Sequence, residues 1–89
     1  MYNVSFHSDV EQDISNIDKE ILERIQRAKD IKISTRTEIY GSKFKGSLKD
    51  YSKIRIGYYR IIYMMRSKTV YILAVGHRKD IYKTATRRT

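Results

Sequence analysis

The chain has 89 residues, with 19 Lys or Arg against 10 Asp or Glu, and its formal net charge is therefore +9. It contains no cysteine, which excludes disulfides and thiolate metal sites, and two lone histidines do not make a metal cluster. No apolar run approaches the roughly 20 residues of a membrane span and no signal-peptide pattern opens the chain. We therefore expect one small cytoplasmic domain over residues 1–89.

The first half of the chain predicts a short strand followed by two helices. Residues 2–6 alternate as a strand does, His7 is expected in a turn or cap, and Ser8 and Glu11 have the spacing of a capping box. Apolar side chains at steps of three and four then predict one stripe that packs on a core: Ile14, Ile17, Ile21, Ile25 and Ala28. We predict helices over about 8–16 and 18–34, arranged as an antiparallel hairpin.

The second half predicts three strands, at about 51–56, 59–65 and 69–75, after a polar connection. Gly57 and Tyr58 fit a two-residue hairpin turn with glycine at its first central position. We expect an α+β fold in which the helical hairpin packs on one face of a small antiparallel sheet of about four strands. Residues 83–89 are short, basic and without apolar spacing, so they are expected to form a flexible tail.

Strand alternation divides this sheet into two faces. The face expected to point at the helices carries Ile54, Ile56, Tyr59, Ile61 and Tyr63. Lys53, Arg55 and Arg60 would point away from the helices, with Arg55 directly opposite Arg60, and this face is expected to be open and basic. Like charges placed opposite one another oppose folding, which suggests that an anion binds there.

Charge is distributed unevenly along the chain. Residues 1–40 carry 6 basic and 8 acidic side chains, a net of −2, whereas residues 41–89 carry 13 and 2, a net of +11. A basic half joined to a near-neutral half is typical of a protein that binds nucleic acid. An ordinary solvated sheet face is the simpler alternative.

Two motifs resemble those of the RelE-type toxins of bacterial and archaeal toxin–antitoxin systems. They are Lys-Ile-Arg-Ile-Gly-Tyr-Tyr-Arg-Ile-Ile-Tyr at 53–63 and Val-Gly-His-Arg-Lys-Asp-Ile-Tyr at 75–82. The resemblance covers nearly the whole chain and implies a ribosome-dependent endoribonuclease that cleaves mRNA in the A site without a metal or cofactor. It also implies a cognate RelB-like antitoxin as partner in a hetero-oligomer. A ParE-like inhibitor of DNA gyrase and a non-catalytic RNA-binding homologue are the alternatives.

The resemblance also implies the catalytic residues. Lys53 and Arg55 match the family's two cations on the first hairpin strand, and Arg60 matches the arginine after the hairpin glycine. Arg78 and Tyr82 match the arginine and tyrosine of the closing motif. Attack of a ribose 2′-hydroxyl on the adjacent phosphate needs a proton acceptor, cations for the developing charge and a donor for the leaving oxygen.

Elementary chemistry suggests how these roles are divided. Neighbouring positive charge disfavours the protonated amine of Lys53, which makes it the candidate general base. Arg55 and Arg60 are expected to hold the phosphate, and Arg78 to serve the leaving oxygen. Tyr82 is expected to orient or stack against a base, since single-stranded RNA is read by bases splayed onto aromatic rings. The alternative is that Tyr82 is a structural aromatic residue packed at the end of the strand.

His77 stands where one branch of the family has lysine. It is either an acid or base beside Arg78 or a hydrogen-bonded structural residue. Residues after Tyr82 are too few for the long C-terminal helix of some relatives, which puts displacement of such a helix by an antitoxin in doubt. Further cations are candidates for RNA binding: Lys43, Lys45, Lys49, Lys79 and Lys83.

Overall fold

The computed structural model describes residues 3–28, 30, 42–43 and 46–89. Strand β1 (Asn3–Phe6) is followed by helices α1 (Val10–Ser15) and α2 (Lys19–Ala28). The next elements are the two-residue strand β2 (Ser42–Lys43) and a 3-10 helix (Gly46–Leu48). Strands β3 (Ser52–Ile56), β4 (Tyr59–Arg66) and β5 (Thr69–His77) then lead to helix α3 (Ile81–Arg88).

The strands form one mixed sheet in the order β1-β5-β4-β3-β2. β1 runs parallel to β5 and every other pair is antiparallel. The α+β prediction is confirmed, and the fifth strand, β2, lies in the stretch predicted as a connection. The predicted hairpin register is also found: Arg55 pairs with Arg60, and Gly57 has the positive φ of +59° that its place in the turn favours.

Helices α1 and α2 cover one face of the sheet, and the residues between them and the sheet form the first core. Of the five residues that alternation assigned to this face, four are buried in this core and Tyr59 packs against it; the four are Ile54, Ile56, Ile61 and Tyr63. Ile25 is buried there, and the other residues of the predicted helical stripe pack against it. Helix α2 ends at Ala28, and residues 31–34 of the predicted second helix lie outside the described residues.

The junction between β1 and α1 differs from the predicted capping box. The helix begins at Val10, and Asp9 is the N-cap residue without a side-chain cap hydrogen bond. His7 holds the turn instead, because its Nδ1 accepts the Asp9 N–H at 3.0 Å and its carbonyl accepts the Val10 N–H at 3.0 Å. The prediction that His7 is a turn residue is confirmed, and the prediction of a Ser8 cap was wrong.

The opposite face of the sheet is not open along its whole length, which corrects the prediction of an open basic face. A second core of buried residues lies there: Leu48, Ile62, Leu73, Ala74, Ile81 and Ala85. Leu73 and Ala74 both belong to it because the pairing of β4 with β5 shifts after Ile62, which leaves Leu73 as an extra residue. Burial in this core leaves less of the face to charged side chains.

Helix α3 covers this second core and replaces the predicted flexible tail. Ile81 and Ala85 are buried, at 1% and 0% exposure, and they lie one helical turn apart on the face that meets the sheet. Arg87 and Arg88 occupy the last turn, where positive charge interacts favourably with the helix dipole and stabilises the helix. Within the described part of the chain, no helix is both long and apolar enough to span a bilayer.

Arg88 anchors the end of α3 to α1 across the edge of β5. Its guanidinium donates to both carboxylate oxygens of Asp13, at 2.7 and 2.8 Å, and to the Leu73 carbonyl at 3.0 Å. Asp13 also accepts the Val75 N–H at 3.1 Å. The side chains of Asp13 and Arg88 thus form hydrogen bonds with backbone groups of β5 in the part of the strand that β1 does not reach. Their ion pair also joins the helices on the two faces of the sheet. The hydrogen bond with Asp13 raises the pKa of Arg88.

Candidate functional site

Lys53 and Tyr82 meet on the face of the sheet opposite α1 and α2. Lys53 is on β3 and Tyr82 is in the first turn of α3, and the Lys53 Nζ donates to the Tyr82 hydroxyl at 3.4 Å. The same Nζ lies 5.4 Å from the centroid of the Tyr82 ring. Tyr82 is half-buried and packs against the second core. It therefore combines the contact with Lys53 and the packing role that its alternative predicted.

Arg55 and Arg60 form the next row of side chains on this face. They are directly opposite each other in the β3–β4 ladder, and Arg60 is in turn opposite Gly76 of β5. Side chains so paired are about 5 Å apart at Cβ, and Lys53 is about 7 Å farther along β3. Arg55 is exposed. Three cations thus share one patch of the sheet, as alternation predicted.

Arg60 is buried, with 8% of its surface exposed, although the sequence predicted that it would face open solvent. Its Nη1 donates to the Gly57 carbonyl at 2.9 Å and to the Tyr59 carbonyl at 2.8 Å, which holds the guanidinium under the hairpin turn. Its buried Nε has no hydrogen-bond partner among the described residues. No carboxylate of the described residues pairs with it. Arg60 is therefore a desolvated positive charge that no carboxylate of the described residues neutralises.

Arg78 lies at the same hairpin turn. Its backbone N–H donates to the Tyr58 carbonyl at 2.7 Å, and its Cζ lies 5.2 Å from the centroid of the Tyr58 ring. Arg60 and Arg78 therefore approach the Gly57–Tyr58 turn from different parts of the chain. Arg78 is exposed, and it is not paired with any carboxylate that the structure describes.

His77 lies on the other side of the sheet from Lys53 and Arg60. It pairs with Tyr59, and the two rings meet edge to face at 5.7 Å on the side of the first core. The His77 Nδ1 accepts the Lys79 N–H at 3.2 Å, as the His7 Nδ1 accepts Asp9 N–H at the other strand-to-helix turn. These contacts favour the structural alternative for His77.

Three of the five additional candidate lysines lie on the surface. Lys49, Lys79 and Lys83 are exposed, in a turn, in the loop before α3 and on α3. The Lys43 backbone belongs to β2, next to β3 in the sheet. Lys45 lies outside the described residues. Within the described ranges, no three His, Asp or Glu side chains are placed to hold a metal ion.

The family model for the ParE toxin of type II toxin–antitoxin systems (parDE) matches residues 4–82. The chain belongs to this family. The match covers most of the chain and includes every catalytic residue that the RelE resemblance implied. No curated protein matches the sequence.

Solved structures place the toxin beside RelE proteins. A chain of the RelBE2 toxin–antitoxin complex from Mycobacterium tuberculosis is 26% identical with a TM-score of 0.79, covering 86% of this toxin and 98% of that chain. A chain of the RelB–RelE complex from Methanococcus jannaschii is 25% identical with a TM-score of 0.67, covering 89% and 95%. A doubly substituted free RelE from E. coli, 20% identical, shares the fold at a TM-score of 0.74 over 98% and 96%. This is a toxin of the RelE/ParE superfamily.

Three features of the site were not predicted from the sequence. Tyr58 was expected only as a turn residue, and its contact with Arg78 depends on the end of β5 meeting the hairpin. Arg88 and Asp13 were not considered as a pair. The spacing of Ile81 and Ala85 and the basic residues at 87 and 88 were the available signals for helix α3.

Proposed function

We propose that this toxin is a ribosome-dependent endoribonuclease that cleaves mRNA in the A site. The observation that carries the proposal is Arg60, a buried guanidinium that no carboxylate of the described residues neutralises, on the same face as Lys53 and Arg55. A buried charge without a counter-charge is costly, and a phosphate bound beside the β3–β4 hairpin would supply the missing negative charge. Structural matches to chains of RelB–RelE complexes support a toxin role, and the resemblance of the two sequence motifs to RelE-type toxins implies the nuclease activity.

The reaction would proceed by attack of a ribose 2′-hydroxyl on the adjacent phosphorus. Lys53 would act as the general base that takes the proton of the 2′-hydroxyl, while Arg55 and Arg60 would stabilise the negative charge that develops on the phosphate oxygens. The bond to the 5′ oxygen of the next nucleotide breaks as the new bond forms. The leaving 5′ oxygen takes a proton from water, and the products are a 2′,3′-cyclic phosphate and a free 5′-hydroxyl.

Tyr82 and Arg78 would complete the site from opposite ends. Tyr82 contacts Lys53 through both its hydroxyl and its ring, so it can orient the amine and present its ring to an unpaired base. Arg78 would stabilise the leaving 5′ oxygen by charge, because arginine does not give up a proton at neutral pH. His77 has no proton-transfer role in this proposal.

Inhibition of DNA gyrase is the second candidate, because the matching family model is that of a ParE toxin. This function would require a docking surface for gyrase and no catalytic cations. The cluster of Lys53, Arg55 and Arg60 on one face favours the nuclease. A non-catalytic RNA-binding toxin would use the same cations for affinity alone.

An antitoxin is the expected partner of either kind of toxin. The two solved complexes that resemble this chain pair a RelE-type toxin with a RelB-type antitoxin. An acidic segment of such a partner would neutralise the cations around the hairpin and stabilise the fold by binding to it. We propose a hetero-oligomer with a cognate RelB-like antitoxin as the inactive form.

Induced expression in a bacterial host, followed by mapping of transcript 5′ ends, distinguishes the three functions. The nuclease gives cuts that follow the reading frame of translated messages. A gyrase poison gives DNA breaks instead, and an RNA-binding homologue gives neither. Cuts that ignore the reading frame would contradict the dependence on the ribosome.

Single substitutions then test the site. Arg60→Ala and Arg78→Ala should each abolish growth arrest and codon-phased cuts, with the circular dichroism spectrum of the folded protein retained. Arg87→Ala is the matched control, because it removes one positive charge from an exposed position on α3. If both site variants remain fully toxic, the assignment of these two arginines is wrong.

A further inference from the structure

Tyr58 is the exposed residue at the tip of the β3–β4 hairpin, and none of the roles above uses its side chain. It is 63% exposed, which is unusual for a large aromatic side chain. Two contacts connect it to Arg78: its carbonyl accepts the Arg78 N–H at 2.7 Å, and its ring lies 5.2 Å from the Arg78 Cζ. The first fixes the backbone of Arg78, and the second attracts its guanidinium to the ring.

The Tyr58 ring is itself supported from behind. It stacks on the His77 ring, with centroids 6.0 Å apart and planes 13° from parallel. The His77 ring is held by the Lys79 N–H on Nδ1 and by the edge-to-face contact with Tyr59, which packs against the first core. A series of packed rings thus runs from the core to the exposed hairpin tip.

We propose that Tyr58 is a positioning residue that holds the Arg78 guanidinium at the cleavage site before RNA arrives. Arg78 is exposed and follows the last strand, and none of the described carboxylates fixes it. A long side chain in that position loses rotamer freedom when it engages a phosphate, and a ring that restricts it beforehand lowers this cost. The inference rests on the proposed function, since it assumes that Arg78 acts on RNA.

Cleavage of mRNA on programmed ribosomes by the purified full-length toxin tests the role. Tyr58→Leu should lower kcat by about two- to five-fold, the effect expected of a cation–π contact at an exposed site. Tyr58→Phe and Tyr58→Trp keep an aromatic face and should restore most of the rate, with Trp at least as active as Phe. In an Arg78→Gln background, Tyr58→Leu should cause no further loss.

A second measurement does not depend on cleavage. NMR relaxation of the Arg78 Nε–Hε group should show a restricted side chain in the wild type and in Tyr58→Phe, and a mobile one in Tyr58→Leu. If the wild type does not cleave RNA, the proposed function fails while this measurement still decides whether Tyr58 positions Arg78. Equal Arg78 mobility in Tyr58→Leu and wild type overturns the inference. An equal fall in kcat with and without Arg78 overturns it as well.

Discussion

The ion pair between Asp13 and Arg88 is expected to be a main support of the fold. Its side chains are 11% and 13% exposed, and the two parallel hydrogen bonds measure 2.7 and 2.8 Å. Arg88→Met keeps the aliphatic stem but leaves the Asp13 carboxylate, among the described residues, with only the Val75 N–H at 3.1 Å. The loss should be about 3 kcal/mol, at the lower end of the range for breaking a buried pair. For a domain of this size the melting temperature should fall by about 12–24 °C.

Unfolding followed by circular dichroism, by heat and by urea, measures this loss. Arg87→Met is the matched control, because it makes the same change at an exposed neighbour and should stay within about 0.5 kcal/mol of wild type. In a double-mutant cycle, Asp13→Asn should cost much less when Arg88 is already Met. If Arg88→Met unfolds as the wild type does, or if the two changes are additive, the ion pair does not join the two helices.

Three further substitutions test the role of Arg60 and the stability of the fold. Arg60→Met should abolish cleavage without lowering the free energy of unfolding, because removal of a buried charge that no carboxylate of the described residues neutralises offsets the two lost hydrogen bonds to the Gly57 and Tyr59 carbonyls; urea unfolding that shows a loss above about 1 kcal/mol would contradict this. Gly57→Ala should cost about 1 kcal/mol from its φ of +59° alone, since the added Cβ would lie 3.7 Å from Arg24, an ordinary contact, and urea unfolding measures this cost. Burial raises the pKa of Tyr51, with Tyr71 and Asp50 acting in the same direction, so the folded state favours the neutral phenol. This stabilisation is complete below the ordinary tyrosine pKa of about 10 and is lost as pH rises through the raised value, so stability should fall less steeply above pH 10 in Tyr51→Phe than in wild type.

The pairing of β3 with β4 could be predicted because two local signals agree. Alternation assigns each residue to a face, and the glycine at the turn sets the register, so the opposition of Arg55 and Arg60 followed directly. The stripe of helix α2 was equally clear from its spacing. Local periodicity therefore predicted which cations share one face of the sheet.

The state of each cation could not be predicted in the same way. Arg60 is buried because the carbonyls of Gly57 and Tyr59 accept its hydrogen bonds. The pattern of apolar and charged residues does not predict that these turn carbonyls accept hydrogen bonds from a side chain. Gly76 is opposite Arg60 in the sheet, so the next residue, His77, has its side chain on the face opposite the cations. The resemblance of the motif did not predict this position. Such details depend on which backbone groups meet in three dimensions.

Helix α3 was missed for a related reason. Its apolar residues are few, and they are buried against a core that includes both Leu73 and Ala74, which the irregular pairing of β4 with β5 places on the same side. Arg88 gains its partner from α1, which is 75 positions earlier in the chain. Local periodicity does not predict a contact between residues so far apart in the sequence. Without that contact, a short basic segment is expected to fray.

The parallel pairing of β1 with β5 determines when the toxin can form during synthesis. Asn3 has no strand partner until Thr69 has been added, and Lys53 meets Tyr82 only after the start of α3. Contacts between distant parts of a chain form late because a long loop must close first. A nascent chain therefore contains the hairpin cations before it contains the strand and the helix that complete the sheet and the second core.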